Sequence, residues 1–197
     1  MSQEDVLDAK FWNHLWKSNL TGWDIGKASP PITAYLDQYD NKDAAILIPG
    51  CGNAYEAEYM LENDFTNITL VDISEEAVLR LKKKFKGINQ IDILHKDFFK
   101  HKGTYDLIVE QTFFSALPPK VRSSYAQQVA SLLKKGGRLV GVLFDQEFDQ
   151  EGPPFGGLKE DYRIIFEPYF TIYKMERCYN SIPPRAGGEA FINLIKK

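Results

Sequence analysis

Two glycines and an acid in this sequence have the spacing of a nucleoside-binding site. Gly50 and Gly52 follow the apolar run at residues 44–49, and Asp72 ends a second apolar run, 20 positions after Gly52. Glycine lets a ligand approach the backbone closely, and the free N–H groups of a following helix carry partial positive charge. A carboxylate after the second strand can accept hydrogen bonds from both hydroxyls of a ribose. The pattern therefore predicts a bound nucleoside.

Residue 55, three positions after the second glycine, indicates which class of nucleoside is bound. A dinucleotide fingerprint needs a third small residue there, so that the helix packs closely on the strand. This chain has Tyr55 instead, which disfavours NAD and an NAD-dependent oxidoreductase. With Glu56, Asp72 and Asp97 in register, the pattern is typical of S-adenosylmethionine binding.

The residues around this motif predict the α/β fold that would position it. Apolar runs alternate with helical patterns, as in a doubly wound sheet. Five strands are predicted at 44–49, 67–73, 90–95, 105–111 and 138–144, and helices at 53–63, 75–85, 118–134 and 159–166. Residues 171–180 and 190–196 alternate in polarity, and we expect them to close the sheet as an antiparallel pair.

An aromatic extension precedes this core. All three tryptophans lie in it, and Phe11, Trp12, Leu15 and Trp16 fall on one face of a predicted helix. Ser29 before two prolines resembles the cap and first turn of another helix. We expect one domain over residues 1–197, in which residues 1–43 form an aromatic cover on the core at 44–197.

Composition and charge narrow the classes of function. The formal charge of the 197 residues is −3 at pH 7, which argues against a nucleic-acid partner. Apolar runs are far shorter than the ~18 residues of a membrane span, and the polar start is unlike a signal peptide. Cys51 and Cys178 have neither disulfide-framework nor zinc spacing. We expect a cytoplasmic monomer with no metal and no membrane partner.

Several motifs along the chain carry a family resemblance. They are Phe11-Trp12-x3-Trp16, Thr21-Gly22-Trp23-Asp24-x-Gly26, Pro49-Gly50-Cys51-Gly52, Val71-Asp72-Ile73-Ser74, Lys96-Asp97-Phe98-Phe99, Phe113-Phe114 and Gly152-Pro153-Pro154-Phe155. In these motifs the chain is similar to the thiopurine methyltransferase superfamily, and within it to thiol and halide methyltransferases, over nearly its whole length. The T-G-W-D turn and the tryptophan pair are specific to that superfamily, whereas the glycine loop is common to all class I methyltransferases.

The resemblance implies a Rossmann-like class I fold with a seven-stranded, mostly parallel sheet and helices on both faces. It also implies S-adenosylmethionine as cofactor and S-adenosylhomocysteine as product. Gly50 and Gly52 would bind the cofactor. The other implied cofactor contacts are Trp12, Trp16 and Trp23 on the methionine side, Asp72 and Ile73 at ribose and adenine, Asp97 and Phe98 around adenine, and Gln111 near methionine and acceptor.

The acceptor is expected to be a small thiol, with sulfide, halide or thiopurine-like acceptors also considered. A thiolate is a strong nucleophile that needs no dedicated base. Glu110, at the end of the fourth predicted strand, and Gln111 are the candidate catalytic residues. Phe114, Phe144 and Phe155 are the expected substrate wall. Plant thiol and halide enzymes carry tyrosines at the positions of Gln111 and Phe144, so the acceptor site of this chain differs from theirs.

Other functions remain open from the sequence. A small-molecule O- or N-methyltransferase would use the same cofactor but would more often need a base, for which Glu110 or His14 would serve. A non-catalytic binder of S-adenosylmethionine or S-adenosylhomocysteine could use the same cover. Gly152-Pro153-Pro154-Phe155 resembles the turn of amino-methylating DNA enzymes, but it follows the fifth strand and begins with glycine rather than a polar residue. A nucleic-acid methylase is therefore disfavoured.

Overall fold

A computed structural model describes residues 7–150 and 152–197 of the chain. Its strands are β1 (Ile46–Pro49), β2 (Ile68–Asp72), β3 (Ile91–His95), β4 (Tyr105–Gln111), β5 (Leu133–Phe144), β6 (Phe170–Arg177) and β7 (Glu189–Lys196). Its α-helices are α1 (Ala9–Lys17), α2 (Pro30–Leu36), α3 (Tyr55–Glu62), α4 (Glu75–Lys84), α5 (Phe113–Ala116), α6 (Arg122–Leu132) and α7 (Lys159–Phe166).

The strands form one seven-stranded sheet in the order β3-β2-β1-β4-β5-β7-β6. The first five strands pair in parallel, and β7 pairs antiparallel with both β5 and β6. The order reverses at β1, between β2 and β4, and ligands of open α/β sheets bind beyond the strand ends at such a point. The predicted mostly parallel sheet with an antiparallel C-terminal pair is confirmed.

Helices cover both faces of the sheet because its central strands are apolar on both sides. Along β1, Leu47 faces a core that includes Tyr125 of α6 and Phe166 of α7. Its neighbours Ile46 and Ile48 face a second core that also contains residues of α2, α3 and α4. All four side chains of β1 are buried, as expected for a strand between two helical layers.

The predicted bounds of the helix at 118–134 and the start of the strand at 138–144 were wrong. The helix expected at 118–134 divides into a short 3-10 turn at Pro119–Val121 and α6, which ends at Leu132. Strand β5 then begins at Leu133, five residues before the predicted start. Leu133 pairs with Tyr105, and a register shift precedes the pairing of Arg138 with Leu107. Gly136 adopts a positive φ of 77° within this irregular stretch, where glycine is readily accommodated.

The described part of the cover lies on the carboxyl end of the sheet and on one helical layer. Asp8 caps α1 by accepting hydrogen bonds from the N–H groups of Lys10 and Phe11. α1 packs against α4, while α2 packs against α3 and β5. Ser29 precedes the prolines at the start of α2, as predicted. The cover therefore contacts the elements that follow the glycine loop and Asp72.

Candidate functional site

The glycine loop joins β1 to α3 in a conformation that few other residues adopt. Gly50 and Gly52 have φ values of 55° and 54°, in the left-handed region that favours glycine. The Gly50 N–H donates to the Val71 carbonyl at 2.7 Å, which holds the loop against β2. Both glycines line a cavity of about 970 Å³ at the carboxyl end of the sheet.

Asp72 ends the neighbouring strand and also lines this cavity. Its two carboxylate oxygens accept hydrogen bonds from the N–H groups of Gly52, at 3.2 Å, and Ser74, at 2.8 Å. Burial raises the pKa of Asp72, and these backbone hydrogen bonds act in the opposite direction. Each oxygen of an ionised carboxylate has about two acceptor positions. The carboxylate is therefore fixed in place and keeps acceptor capacity toward the cavity.

A third group of predicted residues forms the wall beyond Asp72. Ile73, Asp97 and Phe98 line the cavity, and Phe99 and Lys96 join them there. Asp97 accepts a hydrogen bond from the Phe99 N–H at 2.9 Å, which caps the short turn containing Phe98. The structure thus brings the predicted adenine-side residues to the same cavity as Asp72 and the glycines.

The three tryptophans of the cover form the opposite wall. Trp12, Trp16 and Trp23 all line the cavity. Trp23 contacts the other two edge to face, at centroid distances of 5.6 and 5.9 Å. A Cβ added to Gly52 would lie 3.5 Å from the Trp16 ring, so this ring lies directly over the glycine loop. Aromatic rings packed in this way exclude water and attract cations.

Polar contacts attach the first cover helix to α4. Asn13 accepts hydrogen bonds from the Ser74 hydroxyl, at 2.8 Å, and from the Glu76 N–H, at 2.9 Å. Arg80 donates to the Trp16 carbonyl at 2.9 Å and lies 5.5 Å from the centre of the Trp16 ring. The cover thereby contributes an acceptor to the N-terminus of the helix that follows Asp72.

Other contacts attach the T-G-W-D turn (residues 21–24) and the start of α2 to the glycine loop and α3. Asp24 accepts hydrogen bonds from Asn53, at 2.6 Å, and from the hydroxyl of Tyr55, at 3.2 Å. Glu56 accepts one from the Ser29 N–H at 2.9 Å. Tyr55, whose bulk disfavours a dinucleotide, therefore helps to connect the glycine loop to the cover.

The remaining wall is apolar and aromatic, with one cation. Phe144 lines it together with Phe148, at a centroid distance of 5.0 Å. The Arg185 guanidinium lies 5.3 Å from the centre of the Phe144 ring and donates to the Trp23 carbonyl at 2.9 Å. It also pairs with buried Glu189 at 3.4 Å. Other residues of this wall are Phe113, Leu117, Gln146, Pro153, Pro154 and Pro184.

Four of the predicted site residues do not line the cavity, although all four belong to the described part of the chain. Glu110 is fully buried on the α6 side of β4, where it accepts hydrogen bonds from the Tyr125 hydroxyl, at 2.5 Å, and the Phe114 N–H, at 2.9 Å. Burial raises its pKa to about 7 despite these hydrogen bonds. This placement fits a structural carboxylate better than a catalytic base.

The other three residues are Gln111, Phe114 and Phe155. Phe114 is 1% exposed and packs in the core. Phe155 is held by its backbone, whose N–H donates to Ser115 and whose carbonyl accepts from Arg122. Gln111 has its Oε1 3.0 Å from the Thr112 hydroxyl, and its Nε2 is buried without a partner. Their neighbours Thr112, Phe113 and Pro154 line the cavity instead.

Known proteins with similar sequences point to one family. The sequence matches the family Thiopurine S-methyltransferase (TPMT) over residues 7–192. "Probable thiol methyltransferase 2" from Arabidopsis thaliana is 33% identical over 184 residues, which cover 90% of this chain and 81% of that protein. A thiopurine S-methyltransferase from Photobacterium profundum is 25% identical over 178 residues, covering 82% and 83% of the two chains.

The chain belongs to the thiopurine S-methyltransferase family. The resemblance that the motifs predict is thereby confirmed. The family match spans the cover as well as the core, because it begins at residue 7. The matched range therefore includes the T-G-W-D turn at residues 21–24.

Solved structures of other proteins share the fold of this chain. The crystal structure of Burkholderia thailandensis 1,6-didemethyltoxoflavin-N1-methyltransferase, with bound 1,6-didemethyltoxoflavin and S-adenosylhomocysteine, aligns with a TM-score of 0.76. It is 16% identical, and the alignment covers 100% of this chain and 92% of that one. Magnesium protoporphyrin IX methyltransferase from Synechocystis PCC 6803 also aligns at 0.76, with 16% identity and coverages of 100% and 98%. The Rossmann-like methyltransferase fold is confirmed.

Membrane-spanning helices and metal-ligand clusters are the two other features that bear on function. Neither residues 7–150 nor residues 152–197 include a helix with the length and apolar character of a membrane span. Within the same residues, no three or more His, Cys, Asp or Glu side chains are grouped as metal ligands.

Proposed function

We propose that this protein is an S-adenosylmethionine-dependent methyltransferase of small thiols. The observation that carries the proposal is one continuous cavity, with a glycine loop and Asp72 on one side, a phenylalanine wall on another, and three tryptophans over both. Membership of the family supports it. When bound, S-adenosylmethionine supplies an activated methyl group on a sulfonium centre.

The residues present fit this cofactor. The glycines place no side chain on the loop, and the fixed Asp72 carboxylate can accept hydrogen bonds from ribose hydroxyls. Phe98 offers a flat apolar surface for adenine. The tryptophan faces favour a sulfonium by roughly 0.5–2 kcal/mol. Trp12, Trp16 and Trp23 also exclude water, which favours displacement between two aligned atoms.

The ionisable groups of the cavity favour a thiol over a neutral oxygen or nitrogen acceptor. Among the described lining residues, these groups are Asp8, Asp72, Lys96, Asp97 and Arg185, and there is no histidine. Asp72 and Asp97 accept hydrogen bonds from backbone N–H groups, and Glu110 lies outside the cavity wall. A thiolate needs no dedicated base. The chain's own residues would therefore hold the acceptor and exclude water.

We further infer the location, oligomeric state, domain organisation and partners of the protein. The chain would act as a cytoplasmic monomer of one domain over residues 1–197, with residues 1–43 as its cover, and without a nucleic-acid partner. The formal charge of −3 supports the last of these inferences. Sulfide, halide ions and thiopurine-like compounds belong to the acceptors to be tested.

The test is S-adenosylhomocysteine release by the purified protein, with S-adenosylmethionine and matched acceptors. Each aryl thiol is paired with the phenol and the aniline of the same skeleton, and sulfide and iodide are included. We expect release with the thiols and at least 10-fold less with their oxygen and nitrogen analogues. Release with phenols or anilines alone would instead support an O- or N-methyltransferase. Cofactor binding without any release would support a binding-only role.

A further inference from the structure

The turn after β4 has a backbone conformation that its residue type disfavours. Thr112 has φ of 65° and ψ of −11°. This is the left-handed region, where a β-branched residue is a rare outlier. Such strain persists only where neighbouring contacts hold it, and it is often found at functional sites. Thr112 also lines the cavity.

Contacts on both sides of Thr112 hold this turn. Its hydroxyl donates to the Gln111 carbonyl at 2.6 Å and lies 3.0 Å from Gln111 Oε1. On the other side, the Glu110 carboxylate accepts the Phe114 N–H and the Tyr125 hydroxyl. These hydrogen bonds of the buried Glu110 fix the start of α5. Glu110 therefore has a structural role that is independent of catalysis.

The turn places the Phe113 ring on the glycine loop. A Cβ added to Gly50 would lie 2.3 Å from Phe113 Cδ2, so the ring packs directly against the bare glycine. The same ring contacts Phe98 edge to face at a centroid distance of 5.3 Å, and it lines the cavity. Phe113 therefore connects the glycine loop to the wall proposed to contact adenine.

We infer that Thr112 is a positioning residue for the S-adenosyl ligand: its left-handed backbone holds the Phe113 ring between Gly50 and Phe98, where that ring shapes the cofactor side of the cavity. This inference rests on the proposed function, because it assumes an S-adenosyl ligand. The hydroxyl acts by holding that backbone through its hydrogen bond to the Gln111 carbonyl, and a residue that adopts the left-handed region freely does not need it. The essential property is the backbone conformation.

Three substitutions separate the backbone from the hydroxyl. Thr112→Val keeps the shape of the side chain, loses the hydroxyl and still disfavours the left-handed region. Thr112→Gly also loses the hydroxyl but adopts that region freely. Thr112→Ser keeps the hydroxyl without β-branching. Urea unfolding of each variant establishes that it is folded before its S-adenosylhomocysteine dissociation constant is measured by calorimetry.

We expect Thr112→Val to weaken S-adenosylhomocysteine binding at least 10-fold, and Thr112→Gly and Thr112→Ser to stay within 3-fold of the wild type. Equal losses for valine and glycine would overturn the inference, because the hydroxyl would then be the essential group. Wild-type affinity of the valine variant would overturn it as well.

A background without the ring tests whether Thr112 acts through Phe113. In Phe113→Ala, the further change Thr112→Val should alter S-adenosylhomocysteine affinity by less than 2-fold. A purely structural role of Thr112 would leave the 10-fold effect in place and would contradict the inference. Absence of binding by the wild type would contradict both the inference and the proposed function. Binding without thiol turnover would contradict the proposed function alone.

Discussion

Replacing Gly50 by alanine should destabilise the fold more than the same change at Gly52. Both glycines have nearly the same positive φ, so both variants incur a left-handed backbone cost of about 1–2 kcal/mol. Reduced flexibility of the unfolded chain offsets about 0.4–1 kcal/mol of it. The variants differ in what the new Cβ contacts.

At Gly52 the new Cβ would lie 3.5 Å from Trp16, an ordinary contact distance, whereas at Gly50 it would lie 2.3, 2.7 and 3.0 Å from three atoms of Phe113. Overpacking of this kind costs about 1–3 kcal/mol. We therefore expect a loss of unfolding free energy of about 0–1.6 kcal/mol for Gly52→Ala and about 1–4.6 kcal/mol for Gly50→Ala, so that Gly50→Ala is the less stable variant by about 1–3 kcal/mol.

Urea unfolding of Gly50→Ala, Gly52→Ala, Phe113→Ala and the double variant Gly50→Ala/Phe113→Ala measures these differences. Because the clash requires the ring, the double variant should be at least about 1 kcal/mol more stable than the sum of its single effects predicts. Effects that add to within about 0.5 kcal/mol, or equal losses at Gly50 and Gly52, would refute the packing of Phe113 on the loop.

Three further predictions concern charges and the cover. The pKa of Glu110 is about 7 in the folded chain, above its ordinary value of 4.5, so the folded state binds the extra proton between these pH values. The unfolding free energy of the wild type should therefore fall by up to about 3 kcal/mol relative to Glu110→Gln as pH rises from about 4.5 to 7; parallel pH profiles would contradict this. Asp72→Asn should weaken S-adenosylhomocysteine binding about 10- to 100-fold in calorimetry, because charged hydrogen bonds to the ribose are lost; the amide can accept only one of the Gly52 and Ser74 N–H groups, so urea unfolding first establishes that the variant is folded, and unchanged affinity would exclude Asp72 from the cofactor site. Asn13→Ala removes the acceptor for Ser74 and Glu76, at a cost of about 1 kcal/mol, and should speed proteolysis of the cover about 5-fold; an unchanged cleavage rate would show that this contact does not hold the cover.

The fold could be predicted from the sequence because its signals are local. Parallel strands buried on both faces give short apolar runs, and the cap at Ser74 separates one of these runs from the next helix. The exception was the start of β5. There, Leu133 pairs with Tyr105 across an irregular stretch, and that pairing depends on a strand nearly 30 residues away in the sequence.

The cofactor side of the cavity could be predicted for the same reason. Gly50, Gly52 and Asp72 lie at strand ends, and parallel strand ends meet at one edge of the sheet. The placement of the tryptophans came from family resemblance, because helical spacing alone also fits an ordinary buried stripe. The contacts of Asn13 and Arg80 connect distant segments and leave no local pattern.

The acceptor side of the cavity could be predicted less accurately than the cofactor side. The sequence indicated aromatic residues after β4, but Phe113 lines the cavity while Phe114 enters the core. Which of the two rings lines the cavity depends on the left-handed backbone of Thr112. A threonine in the sequence gives no reason to expect that conformation. Glu110 offered a usable signal, because it shares a face of β4 with Ile108, whose side chain lies in the α6 core. Strand alternation alone could have placed it there.

The most direct test of thiol methylation is detection of the methylated product. The purified protein is incubated with S-adenosylmethionine carrying a deuterated methyl group and with an equimolar mixture of an aryl thiol and its phenol analogue, and mass spectrometry identifies which atom gains the label. We predict a deuterated methyl thioether whose initial rate rises with the ionised fraction of the thiol. Label on the phenol oxygen alone, or a rate that does not follow thiol ionisation, would contradict direct transfer to a thiolate.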